Sequence, residues 1–356
     1  MKIELIGKPK IIMSNPNSIH GYFAWPTVSL LQDGKIAVGA SGFRIEHVCP
    51  FGKGVVSYSY DGGETYTAPA PVIDTPLDDR DVGICPFGES GVIITSFNNT
   101  ADFQRENNVD NAYAQSYIDL ISKEDEEKFL GSIFRISRDC GVTFGDIYHS
   151  PVTSPHGPVQ LRDGTVLWAG TRFDNVYGGI EIHRLDTENG ETELIGRITL
   201  PTENGVLNEP NLIELPSGRI ICQSRCENIE AFDGGEENIF TVYQSVSDDG
   251  GKSWTAPEMI LDKTGGAPPH MLLLRSGILL STYGRRKMPY GIMAMLSLDG
   301  GETWEKDIRL FENTESDDIG YPSTVELSDG TLLTVFYARE NEESPCRIYQ
   351  QKWRII

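Results

Sequence analysis

The chain has 356 residues, 39% of them hydrophobic, and a formal charge of −22. That length and composition can fill a complete core, as two ordinary domains or as one large all-β domain. The charge argues against nucleic acid or an anionic membrane as a partner, because the overall field repels polyanions.

No long apolar run reaches the ~18 residues of a membrane span. The opening stretch MKIELIGKPKIIMSNP lacks the apolar segment of a signal peptide, so a soluble, cytoplasmic protein is expected. The six cysteines (Cys49, Cys85, Cys140, Cys222, Cys226 and Cys346) have neither zinc-site spacing nor the density of a disulfide scaffold, and are expected as free thiols. No motif calls for a cofactor or a catalytic metal.

In chain order, the N-terminal run KIELIGKPKII reads as a strand, and six similar segments then follow: Trp25 to Arg44, Arg80 to Asn98, Pro155 to Phe173, Glu209 to Arg225, Pro268 to Arg286 and Tyr321 to Arg339. Each has two apolar runs joined by an Asp-Gly, Ser-Gly or related turn, the signature of a β-hairpin. Between the second and third, residues 101–130 break the rhythm with a composition that favours helix. That insertion is expected either to arch over a site or to be a solvated excursion. The C-terminal run CRIYQQKWRII is expected to pair with the N-terminal strand and close the last blade. A period of this kind predicts one domain over 1–356: an all-β, six-bladed β-propeller with four-stranded antiparallel blades.

A second motif, S-x-D-x-G-x-T/S-aromatic, recurs four times, around Asp61, Asp139, Asp249 and Asp299. Its Asp can accept bonds from the turn amides, its Gly takes the left-handed conformation, and its aromatic packs beneath. It is a folding device. The spacing resembles the Asp box of sialidases, and with the six hairpins it marks the whole chain as similar to the sialidase-like, BNR-repeat superfamily.

Inner strands of a propeller line its axis. Registering the hairpins on their turn glycines brings together Trp25, Arg80 with Asp81, His156, Glu209, His270 and Tyr321, a polar and titratable set suited to binding or catalysis. The second strands end in Arg44, Arg172, Arg225, Arg285 with Arg286, and Arg339, a recurrence suited to gripping a carboxylate. The bland readings are core histidines, a hub-filling tyrosine and arginines paired to nearby acids.

The sialidase resemblance implies roles for some of these residues. Tyr321 in GYPSTVELSDG would be the nucleophile, Glu209 in NEPNLIELPSGRIICQSR the carboxylate that activates it, Arg225 the second arginine, and Arg285 or Arg286 the third. The family's first arginine is absent, since Ala24-Trp25-Pro26 stands there. Arg44 or Arg80 is the candidate replacement. The acid/base loop SGFRIEHVCPFGKG carries no Asp, leaving Glu46, His47 or Asp81 as candidate acids. Asp79 and Asp318 are spare candidates among four presumptive rim charges, Asp78, Asp79, Asp317 and Asp318.

The expected function is a retaining, exo-acting glycoside hydrolase releasing a terminal acidic sugar from an oligosaccharide. A neutral phenol avoids the repulsion that an anomeric carboxylate imposes on a carboxylate nucleophile. Two alternatives are a uronate lyase using His156, His270, Tyr321 and an arginine, and a non-catalytic sugar-binding propeller with Trp25 as a stacking platform. Oligomeric state is not expressed in the sequence.

Overall fold

The structure, a computed structural model, describes residues 1–173, 179–199, 205–228, 241–261, 268–313 and 315–356. Six antiparallel sheets follow one another around an axis, five of them four-stranded along a simple meander. The inner strands are Tyr22–Leu30 in blade I, Arg80–Phe87 in blade II, Gly205–Glu214 in blade IV, His270–Leu273 in blade V and Gly320–Glu326 in blade VI. In blade III the inner position is divided between Val152–Thr153 and Val159–Gln160, both paired with Val166–Arg172.

Closure is as the sequence suggests. Ile3–Met13 forms the outer strand of blade VI, antiparallel to Arg347–Ile355, so the two ends of the chain share one sheet. Sealing the ring this way leaves no open seam between the first and last blades.

The blades hold together through apolar faces. Leu31, Ala37 and Val56 of blade I meet Val82, Ile84 and Ile94 of blade II, and Leu280, Ile292 and Leu310 of blade V meet Phe336 and Trp353 of blade VI. Each such buried side chain contributes about 1.5–3 kcal/mol relative to exposure. Both faces of most strands are therefore apolar, which explains why strict alternation is weak in runs such as GVIITSF.

All four Asp boxes occupy the turn between the third and fourth strands of their blades. In the first, Asp61 accepts the Glu64 and Thr65 amides at 3.0 and 2.8 Å, while Ser59 accepts the Gly63 amide at 2.8 Å. The box also reaches the preceding blade. Tyr66 donates to Gln350 at 2.6 Å, and Gln350 donates back to the Gly63 carbonyl at 2.8 Å. Tyr58 and Gln244 do the same for Gly141 and Gly301.

The insertion forms three short helices, α1 (Ala101–Asn107), α2 (Ala112–Ile118) and α3 (Lys123–Phe129). The caps Thr100, Asn111 and Ser122 each accept an amide from the first turn, which satisfies donors the helix cannot. The helices leave the end of the second strand of blade II, so they stand on the face where the inner strands begin. There Gln104 of α1, almost wholly buried, donates to Asp78 at 3.0 Å.

Candidate active site

Four inner strands carry a bulge at the same level. The ladder slips between Ala24 and Thr27, Arg80 and Gly83, Asn208 and Asn211, and Gly320 and Ser323, so that two residues face one on the neighbouring strand. The first residue of each bulge has positive φ: Trp25 at 54°, Asp81 at 46°, Glu209 at 48° and Tyr321 at 51°. Non-glycine residues rarely adopt this conformation, at a cost of about 1–3 kcal/mol each. A bulge re-aims the side chain it carries. In three of the four the next residue is proline (Pro26, Pro210, Pro322), which has no N–H to lose from the ladder.

Two of these residues meet directly. The Tyr321 hydroxyl donates to Glu209 Oε1. Glu209 Oε2 lies 2.7 Å from Arg225 Nη1, and Arg225 is held in turn by Glu227 and by Asn208 Oδ1 at 2.9 Å. Burial pushes the Glu209 carboxyl up, opposed by the Arg225 charge and the Tyr321 bond. It pushes the Tyr321 phenol well above its usual value, and the charges of Glu209 and Asp81 add to this. The phenol therefore keeps its proton and donates it to a Glu209 oxygen, with Arg225 against the other oxygen of that carboxyl.

Arg286 flanks the pair. Its Nε donates to the Ile319 carbonyl at 3.0 Å, its Nη2 to the Tyr337 hydroxyl at 2.6 Å, and its Cζ stands 5.7 Å from the centre of the Tyr321 ring. Arg80 stands with its Cζ over Trp25, 4.0 Å from the ring centre, and its Nη1 donates to the His47 carbonyl at 3.0 Å. Its Nε is buried and has no hydrogen-bond partner among the described residues.

Asp81 is 7% exposed, and burial raises its carboxyl to about 7, against the pull of Arg80 and with a push from Glu209. Near neutrality it therefore exists as a mixture of acid and carboxylate, with the acid form dominant only below that value. His47 belongs to a different set, with Nδ1 3.2 Å from Asp318 Oδ1 and 3.1 Å from the Tyr22 hydroxyl. Burial lowers the His47 imidazole even with Asp318 in contact. Asp318 also accepts from Tyr22 at 2.9 Å and from Arg339, and is held ionised in spite of its burial.

Several sequence expectations need correction. Trp25 is 1% exposed and covered by Arg80 and Arg44, so it is a floor for arginines and no open platform for a sugar. Arg44 is fully buried, paired with Asp78 and bonded to the Glu46 and His47 carbonyls, where it braces the loop and reaches no ligand. Arg285 donates to the Lys287 carbonyl at 3.1 Å; strand alternation gives the inward position to Arg286 instead. Asp78 and Asp79 are not rim charges: both are fully buried, Asp79 accepting from Thr75 and raised by burial to about 7.

His156 and His270 also stand elsewhere. They precede their turn glycines by eight and seven residues, against nine for Trp25, Glu209 and Tyr321. At about 3.3 Å per residue that places them nearer the face of the turns, where they line a separate cavity with Thr27 and Asn211. Sequence reasoning missed Glu227 and Tyr337, which orient Arg225 and Arg286. Glu227 follows Arg225 by two residues and so shares its face of the strand, the one signal that pointed to it.

The closed six-bladed ring, the Asp boxes and a tyrosine–glutamate pair at the axis define a sialidase-like propeller. The BNR repeat-like domain family matches residues 136–334, more than half of the chain, and the protein belongs to that family.

Among solved structures, the fold is similar to that of a protein of unknown function from Dyadobacter fermentans (20% identity, TM-score 0.76, 99% of each chain). It is similar also to NanB sialidase from Streptococcus pneumoniae (11% identity, TM-score 0.66, 98% of this chain and 70% of that one). A third likeness is to an α-L-arabinanase from Penicillium chrysogenum, solved with arabinobiose (15% identity, TM-score 0.63, 98% of each chain). At these identities the likeness establishes the fold alone. Comparison with curated proteins gives no match.

Proposed function

We propose that the protein is an exo-acting, retaining glycoside hydrolase that releases a terminal acidic sugar, with Tyr321 as nucleophile. The observation that carries this reading is the hydrogen bond from the buried Tyr321 hydroxyl to Glu209, in a cluster flanked by Arg225 and Arg286. A lectin has no use for a phenol paired with its own base.

In the first step Tyr321 Oη attacks the anomeric carbon as Glu209 takes the phenolic proton. Asp81 gives its proton to the departing glycosidic oxygen, so the leaving group is a neutral alcohol. In the second step the Asp81 carboxylate takes a proton from water, whose oxygen displaces the tyrosine from the anomeric carbon, and Glu209 returns the proton to the phenolate. The substrate's charged group lies toward Arg286 and Arg80, which have guanidinium capacity beyond their protein contacts. His47, close to both arginines, shapes that end of the site.

Separation of His156 and His270 from Tyr321 counts against the lyase alternative. The test is hydrolysis of aryl glycosides of sialic acid, deaminated sialic acid, glucuronic acid, galactose, fucose and arabinose, with wild type, Tyr321→Phe and Glu209→Gln. Release from an acidic member, lost in both variants, is the expected result. Release only from a neutral member removes the acidic-substrate assignment. Activity that survives both substitutions removes the nucleophile pair.

A further inference from the structure

Toward the face of the hairpin turns the axis holds a second cavity of about 440 Å³, inside the ~300–1,000 Å³ range of small-molecule sites. Tyr321, Glu209 and Asp81 do not line it. Its polar lining includes His156 and His270, whose rings meet edge to face with centres 4.9 Å apart, and its apolar wall includes Ile84, Leu212 and Val325.

The hydrogen-bond network assigns a tautomer to each imidazole, the one that makes every contact of the ring a hydrogen bond. Thr27 Oγ1 donates to the Pro155 carbonyl at 3.3 Å, so it accepts from His156 Nδ1 at 3.0 Å. The proton of His156 is therefore on Nδ1, and its Nε2 is a bare acceptor. That atom is buried and has no partner among the described residues, on a residue only 3% exposed. His270 Nδ1 accepts the Thr324 amide at 3.3 Å, which places its proton on Nε2. Burial pushes both imidazoles down, His270 to about 4, so neither carries charge near neutrality.

An acceptor beside a donor is the complement of an alcohol, which gives one hydrogen bond and receives another. The charged residues of the lining, Arg275 and Glu326, are paired with each other at 3.3 Å and leave no net charge for an ionic ligand. Aliphatic wall and hydroxyl-matching pair together fit a sugar ring, whose C–H face is apolar and whose edge is polar. We propose that this cavity is a second binding site, for a neutral polyhydroxylated ligand of monosaccharide size, held by one hydroxyl between His156 Nε2 and His270 Nε2–H.

The test is calorimetric and saturation-transfer titration of D-glucose, D-galactose and L-arabinose, one at a time, into wild type, Tyr321→Phe, His156→Phe and Thr27→Val. At least one sugar should bind wild type and Tyr321→Phe alike. Its affinity should fall by about tenfold or more in His156→Phe, which fills the cavity and removes the acceptor. Thr27→Val is nearly isosteric and frees the His156 tautomer, so it should weaken binding several-fold even if His156→Phe does not fold. The proposal is overturned if none of the sugars binds wild type, if Thr27→Val leaves affinity unchanged, or if Tyr321→Phe abolishes binding. The last outcome would place the sugar in the reactive cluster. A crystal of wild type grown with the sugar and showing only water between the two histidines would overturn it as well.

Discussion

Two sets of carboxylates in this propeller face opposite circumstances. Asp61, Asp139, Asp249 and Asp299 lie exposed in the box turns, each accepting a Thr or Ser hydroxyl and backbone amides of its own loop, and those bonds hold them below the usual carboxylate range. Asp81 and Glu209 are buried at the axis, where loss of water pushes both up. The box acids are satisfied within a few residues, so the motif repeats wherever the turn does. The axial acids depend on groups from other blades: Tyr321 of blade VI bonds Glu209 of blade IV, and the Glu209 charge raises Asp81 of blade II. Their arrangement exists only once the ring has closed. Repetition thus marks architecture, and departure from it marks chemistry.

The comparison breaks first at Tyr321. Replacing it with Phe removes one hydroxyl and leaves Glu209 paired with Arg225, so glycoside hydrolysis should fall on the order of 10³-fold or more while thermal melting scarcely changes. A parallel loss of melting temperature and activity would mean that the tyrosine is only a hub filler.

Asp81 comes next. Asp81→Asn should cost about 10²–10⁴-fold in rate and remove a pH limb. With a folded value of about 7, the proton-donating form is lost as pH rises through neutrality, so wild-type activity should decline there. Linkage gives a second readout. The folded pKa lies above the unfolded one, so protonation stabilises the fold below about pH 4, and this contribution is lost as pH rises through about 7. Melting temperatures of Asp81→Asn should therefore gain on wild type between pH 4 and 8. A flat difference would place Asp81 in an ordinary solvated setting.

The same division explains what the sequence discloses. Six hairpins, four boxes and the closing strand pair are legible because each is encoded in its own segment. So is the axial level of Trp25, Glu209 and Tyr321, each nine residues before its turn glycine, whereas Asp81 stands ten before Gly91. The fates of the arginines are not legible. Whether Arg44 reaches a ligand or a buried Asp78 depends on contacts across some thirty residues, and Arg285 and Arg286 are neighbours whose exchange of roles is one step of strand alternation. His156 and His270 were misplaced because an axial register one or two residues short looks the same in a hairpin alignment. The Trp-Pro, Glu-Pro and Tyr-Pro pairs were a readable sign of the bulges.

A box acid tests the architectural half. Asp249→Ala removes the acceptor of the Lys252 and Ser253 amides at 3.0 and 2.9 Å and should lower the melting temperature by about 2–4 °C, with kcat and KM unchanged. Because the folded pKa is depressed, the stabilisation is present above about pH 4 and lost as pH falls through the folded value. Wild type and variant should therefore converge in strong acid. A change in kcat would break the division between turn and axis.

Gln104 joins the two halves. It belongs to the inserted helices, yet its amide donates to Asp78 at 3.0 Å, and Asp78 binds Arg44 and lies 3.5 Å from Arg80. Gln104→Ala leaves Asp78 with both arginines but takes away a neutral donor in a dry setting, a loss of about 1.5–3 kcal/mol for a bond to a charged group. Arg80 keeps its stacking on Trp25 and its bond to the His47 carbonyl, so its guanidinium should loosen rather than leave. KM for an acidic substrate should rise a few-fold with kcat nearly constant. Gln104→Glu should be worse than Gln104→Ala, since a second carboxylate would compete for the same arginines. If both substitutions leave KM untouched while lowering stability, the helices only cover the rim and take no part in positioning Arg80.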